Sequence, residues 1–439
     1  MEQKEKEVFV INGLAGNKKL NGSVVINGAK NAVLQAFAAT LLFQDEVVLK
    51  NVPEIEDVKN MVEIIRGLGV SVERRSRGVY VVKVPTNIST ELAKEISKKF
   101  RASIVLTGPI LARFGKVSFP HPGGCVIGAR PIDIFLNGFE ALGAEVEEKE
   151  ESHLIKAKGT NPTTPKLRGA RIFLRVPSVT GAQTLMMAAV LARGKTIIKN
   201  APLEPETKNL ADFLNSCGAK IKGAGTSVIE IIGTGLLRAK GRAYKTPPDR
   251  IEAGSFLILG AVAAEKLEIK NCNPEEIESL IETLRYCGVK IELSKNKIVV
   301  SSEKNDKYKS TDIKTHEYPG FPTDLQAPMT VFLTQTEGEA LVFETIFEGR
   351  LNFVNELVRM GADIRLWDQH RATVKGPSLL HGREVESPDI RAGLAFVIAA
   401  LIANGQSIIH NVYYIDRGYE KVDERLRKIG VDIVRQALV

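Results

Sequence analysis

Cys125 stands in a Pro/Gly-rich stretch, FPHPGGCVIGARPIDIF (119–135), with Arg130 five residues beyond it. A structural thiol belongs among apolar neighbours in a helix or strand. This one has a backbone free to swing and a cation nearby. A cation lowers a thiol's pKa, so Cys125 reads as a proton donor or nucleophile. The glycines permit close backbone approach and loop motion. The competing reading is an incidental exposed thiol. Lys30 and Asn31, in INGAKNAVLQ, open an apolar helical pattern, where outward amides and the helix dipole favour an anion. Arg101 in KKFRASIVL and Arg391 in PDIRAGLAF hold the same place before two other apolar segments. A cation there is unfavourable without a counter-anion, and three instances point to a shared anionic ligand. Asp324 (FPTDLQAP), Asp389 (SPDIR) and Asp249 (PPDRIEAG) precede apolar stretches and read first as helix N-caps. Arg350 and Arg417, in ETIFEGRL and YIDRGYEKVDERL, read as site residues or as surface ion-pair partners.

Other chemistries lack their signatures. No GxGxxG, GxxxxGK[ST] or HExxH occurs, and the six histidines show no metal-ligand spacing. Neither a metal nor a cofactor is expected. Cys125, Cys217, Cys272 and Cys287 form no CxxC pair, which suits a reducing compartment.

The elements that must position these residues come in six copies. A helical pattern ending in apolar-Gly-apolar, followed by an alternating strand, recurs as IIRGLGVSVE, GFEALGAEVEE, FLNSCGAKIKG, TLRYCGVKIEL, LVRMGADIRL and RLRKIGVDIV. The marker glycines, Gly69, Gly143, Gly218, Gly288, Gly361 and Gly430, are 74, 75, 70, 73 and 69 residues apart. Such regularity signals internal repetition, and a glycine ending a helix takes the left-handed conformation without a Cβ clash. Between these marks lie six long apolar helical patterns, each followed by a turn and a β-rich run, as in AQTLMMAAVLARGKTIIKN. Helices apolar all round belong in an interior. The repeat predicts two domains of three units each, with buried helices wrapped by sheets. A solenoid is the alternative, although its usual period is shorter. Cys217 and Cys287 share one slot in successive units and read as packing residues. Cys272, in KNCNP, reads as a turn residue.

The charge balance of 60 basic against 52 acidic residues gives +8 and a pI near 9.1. That favours anionic partners, but the charges are scattered, and SKKFR (97–101) is the densest short run. Basic patches interleaved with aromatics are missing, and Trp367 lies outside the motifs, so nucleic acid is not an expected partner. The N-terminus lacks a signal-peptide core, and AGLAFVIAALIA (392–403) is too short to span a bilayer. A soluble, cytoplasmic protein with no membrane partner is expected.

In chain order, INGAKNA, FRASI, PGGCVIGARPID, PDRIEAGSF, FPTDLQA, ETIFEGR, SPDIRAG and YIDRGYE resemble the UDP-N-acetylglucosamine 1-carboxyvinyltransferases. These are enolpyruvyl transferases related to EPSP synthase. The likeness runs from about residue 10 to the last strand, and the cysteine loop and the DRGYE segment are its most specific parts. It implies an α/β fold of two inside-out barrels, each of three βαβαββ units, with the active site in the cleft between them. It implies a discontinuous domain of residues 1–29 plus 249–439 and an inserted domain of 30–248, so that the first strand packs with the C-terminal half.

The implied reaction transfers the enolpyruvyl group of phosphoenolpyruvate to the 3-hydroxyl of UDP-N-acetylglucosamine and releases phosphate. It is the first committed step of peptidoglycan synthesis. By the resemblance, Cys125 protonates phosphoenolpyruvate and is the residue that fosfomycin alkylates. Asp324 helps remove the sugar hydroxyl's proton. Lys30 is catalytic, and Lys30, Asn31, Arg130, Arg391 and Arg417 surround phosphoenolpyruvate. Arg101, the turn Arg130–Pro131–Ile132–Asp133–Ile134, the segment Val176–Pro177–Ser178–Val179, Asp324 and Ile346 hold the nucleotide sugar. Three positions depart from the commoner pattern. Thr180–Gly181 in SVTGAQ replaces SVGAT, Val176 stands where some members carry lysine, and Tyr414 stands where histidine is usual. The related shikimate-pathway transferase lacks the PGGCxIGARP loop. A catalytically silent anion-binding protein on the same scaffold would not need the acid, base and cation set.

Overall fold

The computed structural model describes residues 7–121, 127–128, 130–158, 167–303 and 306–437. They fall into two units. The first comprises 7–27, 127–128 and 248–437, and the second 28–121, 130–158 and 167–247. The fold is mixed α/β, with three small sheets in each unit.

The six apolar patterns are helices at Lys30–Ala39, Thr107–Phe114, Val179–Val190, Arg250–Ala263, Gln326–Leu333 and Ile390–Ile402. Each is buried on nearly every side, and in Arg250–Ala263 every residue after the first is buried. Such a helix has no polar face to turn to water, so it packs against others of its kind. In the first unit the helices at 250–263, 326–333 and 390–402 all touch one another. In the second, Val179–Val190 packs on both Thr107–Phe114 and Lys30–Ala39. Contact between the first and third helices of a unit is not solenoid packing, in which a repeat touches only its neighbours.

Sheet pairing ties the chain's beginning to its end. Glu7–Asn12 lies between Gln406–His410 and Ile433–Ala437, antiparallel to both. Leu20–Val25 runs parallel beside Ala264–Lys270. The first strand therefore packs with the C-terminal half, as expected.

The six marker glycines all have φ between +88° and +109°. At Gly69 the amide donates to Arg66 and the next amide, of Val70, reaches back to Ile65. This paired closure satisfies carbonyls left open at the helix end, and it recurs at Gly218, Gly288, Gly361 and Gly430. A second device follows the strands. Asn51, Asn200 and Asn271 also have positive φ. Their side-chain amides donate to the carbonyls of Thr246 (2.8 Å), Leu174 (2.8 Å) and Ile26 (2.7 Å), each just past the parallel neighbouring strand. Asparagine tolerates this conformation better than most residues. Among the described residues no helix is long and apolar enough to cross a membrane.

A Cβ at Gly69 would meet nothing within 4 Å, whereas one at Gly108 would lie 2.3 Å from the Thr184 carbonyl oxygen. Gly69→Ala should therefore cost only the left-handed backbone penalty, about 1 kcal/mol. Gly108→Ala must push two buried helices apart and should cost more than about 2 kcal/mol. Chemical denaturation of the two variants measures the difference.

Candidate active site

The first unit gathers its predicted residues around Asp324. This residue lies in the 3-10 turn Thr323–Leu325 that leads into Gln326–Leu333, where the N-cap positions are Pro322 and Leu325 and not Asp324. One carboxylate oxygen accepts from Arg350 Nη2 at 2.8 Å and the other from Arg391 Nη2 at 2.9 Å. Both arginines are buried, at 4% and 5% exposure. Arg350 is therefore an interior partner, not a surface one. The cap reading holds for Asp249, which accepts from the amides of Ile251 and Glu252, and for Asp389, which accepts from those of Arg391 and Ala392. It fails for Asp324, because two buried guanidinium groups compete for the carboxylate. Arg391 also donates to the Tyr419 hydroxyl at 3.0 Å. Burial alone would lower the pKa of Arg391, but Asp324, Tyr419 and Asp249 outweigh it and hold the guanidinium firmly charged. Burial raises the pKa of Tyr419, so its hydroxyl stays protonated.

The segment carrying Ile346 is fixed by Glu344. This fully buried carboxylate accepts from the amides of Ile346 (2.9 Å) and Phe347 (3.1 Å) and from the Thr323 hydroxyl. Ile346 is half-buried beside it. Arg417 is half-buried at the end of Val412–Asp416, and Tyr414 lies within that helix. The adjoining Gly418 lies against Ile390, where a Cβ would come within 2.7 Å of its side chain. That brings Arg417 close to the start of the Arg391 helix. Cys125 lies outside the described residues. Ile127, two residues on, accepts through its carbonyl from the Gly349 amide at 3.0 Å, next to Arg350.

In the second unit Lys30 is the first residue of its helix, and its Nζ lies 3.4 Å from Asp57, which is 1% exposed. Arg101 opens a 3-10 turn running into Thr107–Phe114, and its guanidinium donates to the main-chain carbonyl of Arg130. The sequence pattern pointed to an external anion for the cations at helix starts. Here Lys30 and Arg391 each face a carboxylate of the protein itself, and Arg101 faces a carbonyl. Asn31 is exposed at the same helix start as Lys30.

The two segments assigned to the nucleotide come together. Asp133 opens the helix Asp133–Ala141 and pairs with Arg175 at 3.0 Å. Ser178 caps Val179–Val190 by accepting from the Gly181 amide. A Cβ at Gly181 would lie 2.9 Å from the Ile134 side chain and 3.0 Å from Ser178 Oγ. Glycine at 181 lets the two segments approach, whereas nothing in the structure explains the departure from SVGAT. Ile134, Gly138, Phe173 and Arg175 line a groove between the Asp133–Ala141 helix and residues 171–175, next to these segments. Pro131 and Val176 are exposed, while Ile132, Pro177 and Val179 are half-buried.

Asp57, Glu344 and Tyr419 were missed as site-forming residues. Tyr419 lies in the DRGYE stretch, which could have flagged it. Asp57 and Glu344 lie in ordinary acidic contexts that carry no such signal. Cys217, Cys272 and Cys287 are buried, as a packing role requires. Burial raises all three thiol pKa values, those of Cys272 and Cys287 to about 11.

A family model described as EPSP synthase (3-phosphoshikimate 1-carboxyvinyltransferase) matches residues 14–426. UDP-N-acetylglucosamine 1-carboxyvinyltransferase 1 of Caldanaerobacter subterraneus subsp. tengcongensis is 45% identical over 417 residues, 95% of this chain and 97% of the relative. UDP-N-acetylglucosamine 1-carboxyvinyltransferase 2 of Listeria monocytogenes is 41% identical over 97% of each chain. The crystal structure of the enolpyruvyl transferase NikO from Streptomyces tendae superposes with a TM-score of 0.86. It is 22% identical and covers 98% of this chain and 99% of its own.

Asp324→Asn removes the carboxylate that two buried guanidinium groups share. It should lower stability by about 3 kcal/mol, against about 1 kcal/mol for a lost cap at Asp249→Ala. Denaturant titration compares them. At pH 8 a thiol reagent should leave Cys217, Cys272 and Cys287 unmodified in the native chain and modify all three in urea, because only the thiolate reacts. Peptide mass spectrometry reads the outcome.

Proposed function

The chain belongs to the UDP-N-acetylglucosamine 1-carboxyvinyltransferases of the EPSP synthase family, and from that premise we propose that it transfers the enolpyruvyl group of phosphoenolpyruvate to the 3-hydroxyl of UDP-N-acetylglucosamine and releases phosphate. The observation that carries this reading is identity of 41–45% to relatives of that name over nearly the whole chain. The product would enter peptidoglycan, and through it cell shape and division. The same reading takes the protein to be cytoplasmic. It takes each unit to be an inside-out α/β barrel of three βαβαββ repeats, in domains of 1–29 plus 249–439 and of 30–248. Three mutually packed helices in the first unit, and three sheets in each, support that architecture.

The reaction begins with a proton passing from the Cys125 thiol to the methylene carbon of phosphoenolpyruvate. A thiol suits this acid role because its pKa lies near working pH, and Arg130 is the nearby cation that would bring it lower. The adjacent carbon becomes electrophilic. The sugar 3-oxygen bonds to it and gives up its proton toward Asp324. Two guanidinium groups make Asp324 a weak base, so it orients the hydroxyl and takes the proton only as the new C–O bond forms. The tetrahedral phosphate ketal then loses a proton from its methyl group to the Cys125 thiolate while the bond from the adjacent ketal carbon to the phosphate oxygen breaks; phosphate leaves with that oxygen, and the C=C double bond returns. Lys30, Asn31, Arg130, Arg391 and Arg417 hold the carboxylate and phosphate of phosphoenolpyruvate. Lys30 also offsets the charge on the departing phosphate. Arg101, residues 130–134, Val176–Val179 and Ile346 hold the nucleotide sugar. With Val176 in place of lysine, that side makes one cationic contact fewer. Cysteine at position 125 makes the protein sensitive to fosfomycin.

Phosphate release from phosphoenolpyruvate should require UDP-N-acetylglucosamine and fall at least about a hundredfold in Cys125→Ala. Release that survives Cys125→Ala would keep the transferase and move the proton donor. Binding of both substrates with no release by the parent chain would overturn the reading.

A further inference from the structure

Three side chains with no part in this reaction converge on one sheet of the second unit. It is built from Lys116–Pro120, Ala144–Lys149 and Ser152–Ala157. His153 pairs across the sheet with Phe119 on one side and with Glu148 on the other. His121 directly follows the first strand, and its ring meets that of His153 edge to face, with centroids 4.4 Å apart. One ligand atom each from His121, Glu148 and His153 lies within 4.8 Å of the other two.

The detail around each ring is that of a ligand set. His121 Nε2 lies 2.9 Å from the Lys149 carbonyl. A carbonyl only accepts, so Nε2 carries the hydrogen and Nδ1 keeps its lone pair. Histidines that bind metals characteristically donate their second N–H to such a carbonyl. His153 is 5% exposed, and its Nδ1 has no hydrogen-bond partner among the described residues. Buried ring nitrogens are normally satisfied, so this nitrogen, without a partner among the described residues, is open to a bound group. Burial, reinforced by His121, lowers the pKa of His153 against the opposing pull of Glu148. Glu148 is exposed and brings the negative charge.

We propose that His121, Glu148 and His153 bind a divalent transition-metal ion of the zinc class. Two imidazoles and one carboxylate suit zinc or cobalt, whereas magnesium and calcium prefer all-oxygen sets. Tetrahedral ligation at zinc distances needs donor atoms roughly 3.3 Å apart. Closing to that distance requires the exposed Glu148 side chain to turn toward the two rings, with His121 held by Lys149 and His153 by burial. Bound metal would join the end of the Lys116–Pro120 strand to the hairpin beside it.

The test uses the full-length chain, stripped of metal and with its thiols reduced, titrated with Co²⁺ alone. One Co²⁺ per chain should give visible d–d bands, lack the near-ultraviolet sulfur-to-cobalt band, and be displaced by Zn²⁺. His121→Gln and Glu148→Gln should each weaken binding by about tenfold or more. Glu148 is exposed, so the metal-free melting temperature of Glu148→Gln should stay that of the parent; His121 is half-buried, and its variant should stay folded in the same measurement. Absence of the visible bands, a sulfur band, or unchanged affinity in either variant overturns the proposal.

Discussion

Asp324 lies between two buried guanidinium groups, and the first unit's chemistry is organised around that arrangement. A buried cation without a partner is among the costliest features a protein can hold. One carboxylate cannot neutralise two of them. Asp389 stands 3.9 Å from Arg350 and helps, but its nearer oxygen is already committed to capping the Arg391 helix. Asp249 adds a further carboxylate near Arg391, so carboxylates of the protein itself balance the two guanidinium groups in a place where water screens them poorly. Those carboxylates are what let two cations stay in the interior. Tyr419 adds a neutral hydroxyl to Arg391 and is itself held by Ser255 at 3.3 Å, which ties the cluster to a second buried helix.

The scaffold beneath this cluster was legible in the sequence because it is written in residues with few substitutes. A helix end that must turn left-handed selects glycine, and all six marker glycines turn that way. Helices apolar on every side have no solution except mutual burial, and they are buried. Caps at Asp249 and Asp389 were legible for the same local reason: a side chain two or three residues from its partner depends on nothing else. Asp324 broke the pattern because its partners, Arg350 and Arg391, are 26 and 67 residues away. Nothing within a helix turn announces a bond of that span.

The candidate site followed the same division. Residues that differ from their surroundings, such as a lysine or arginine opening an apolar helix, were visible. The groups that face them were not. Asp57 reads as one acidic residue in the first turn of an amphipathic helix, yet it is buried and paired with Lys30. Glu344 reads as a strand-end glutamate, yet it sets the backbone around Ile346. The histidines carry the point further. His121, Glu148 and His153 have no ligand spacing along the chain, because strand register, and not helical or loop spacing, assembles them.

Repetition also explains why equivalent places hold unlike chemistry. Lys30, Arg101 and Arg391 stand at comparable helix starts, but their partners differ: a carboxylate 27 residues ahead, a main-chain carbonyl 29 ahead, and a carboxylate 67 behind. The repeated unit fixes only where the helix begins and which way its first side chains point. What each cation meets is decided by the connecting segments, which the repeat leaves unconstrained. A duplicated fold can therefore keep its packing nearly constant while the cation at each helix start meets a different partner. The copies with the longest-range pairing are then the ones whose function is hardest to read from local sequence.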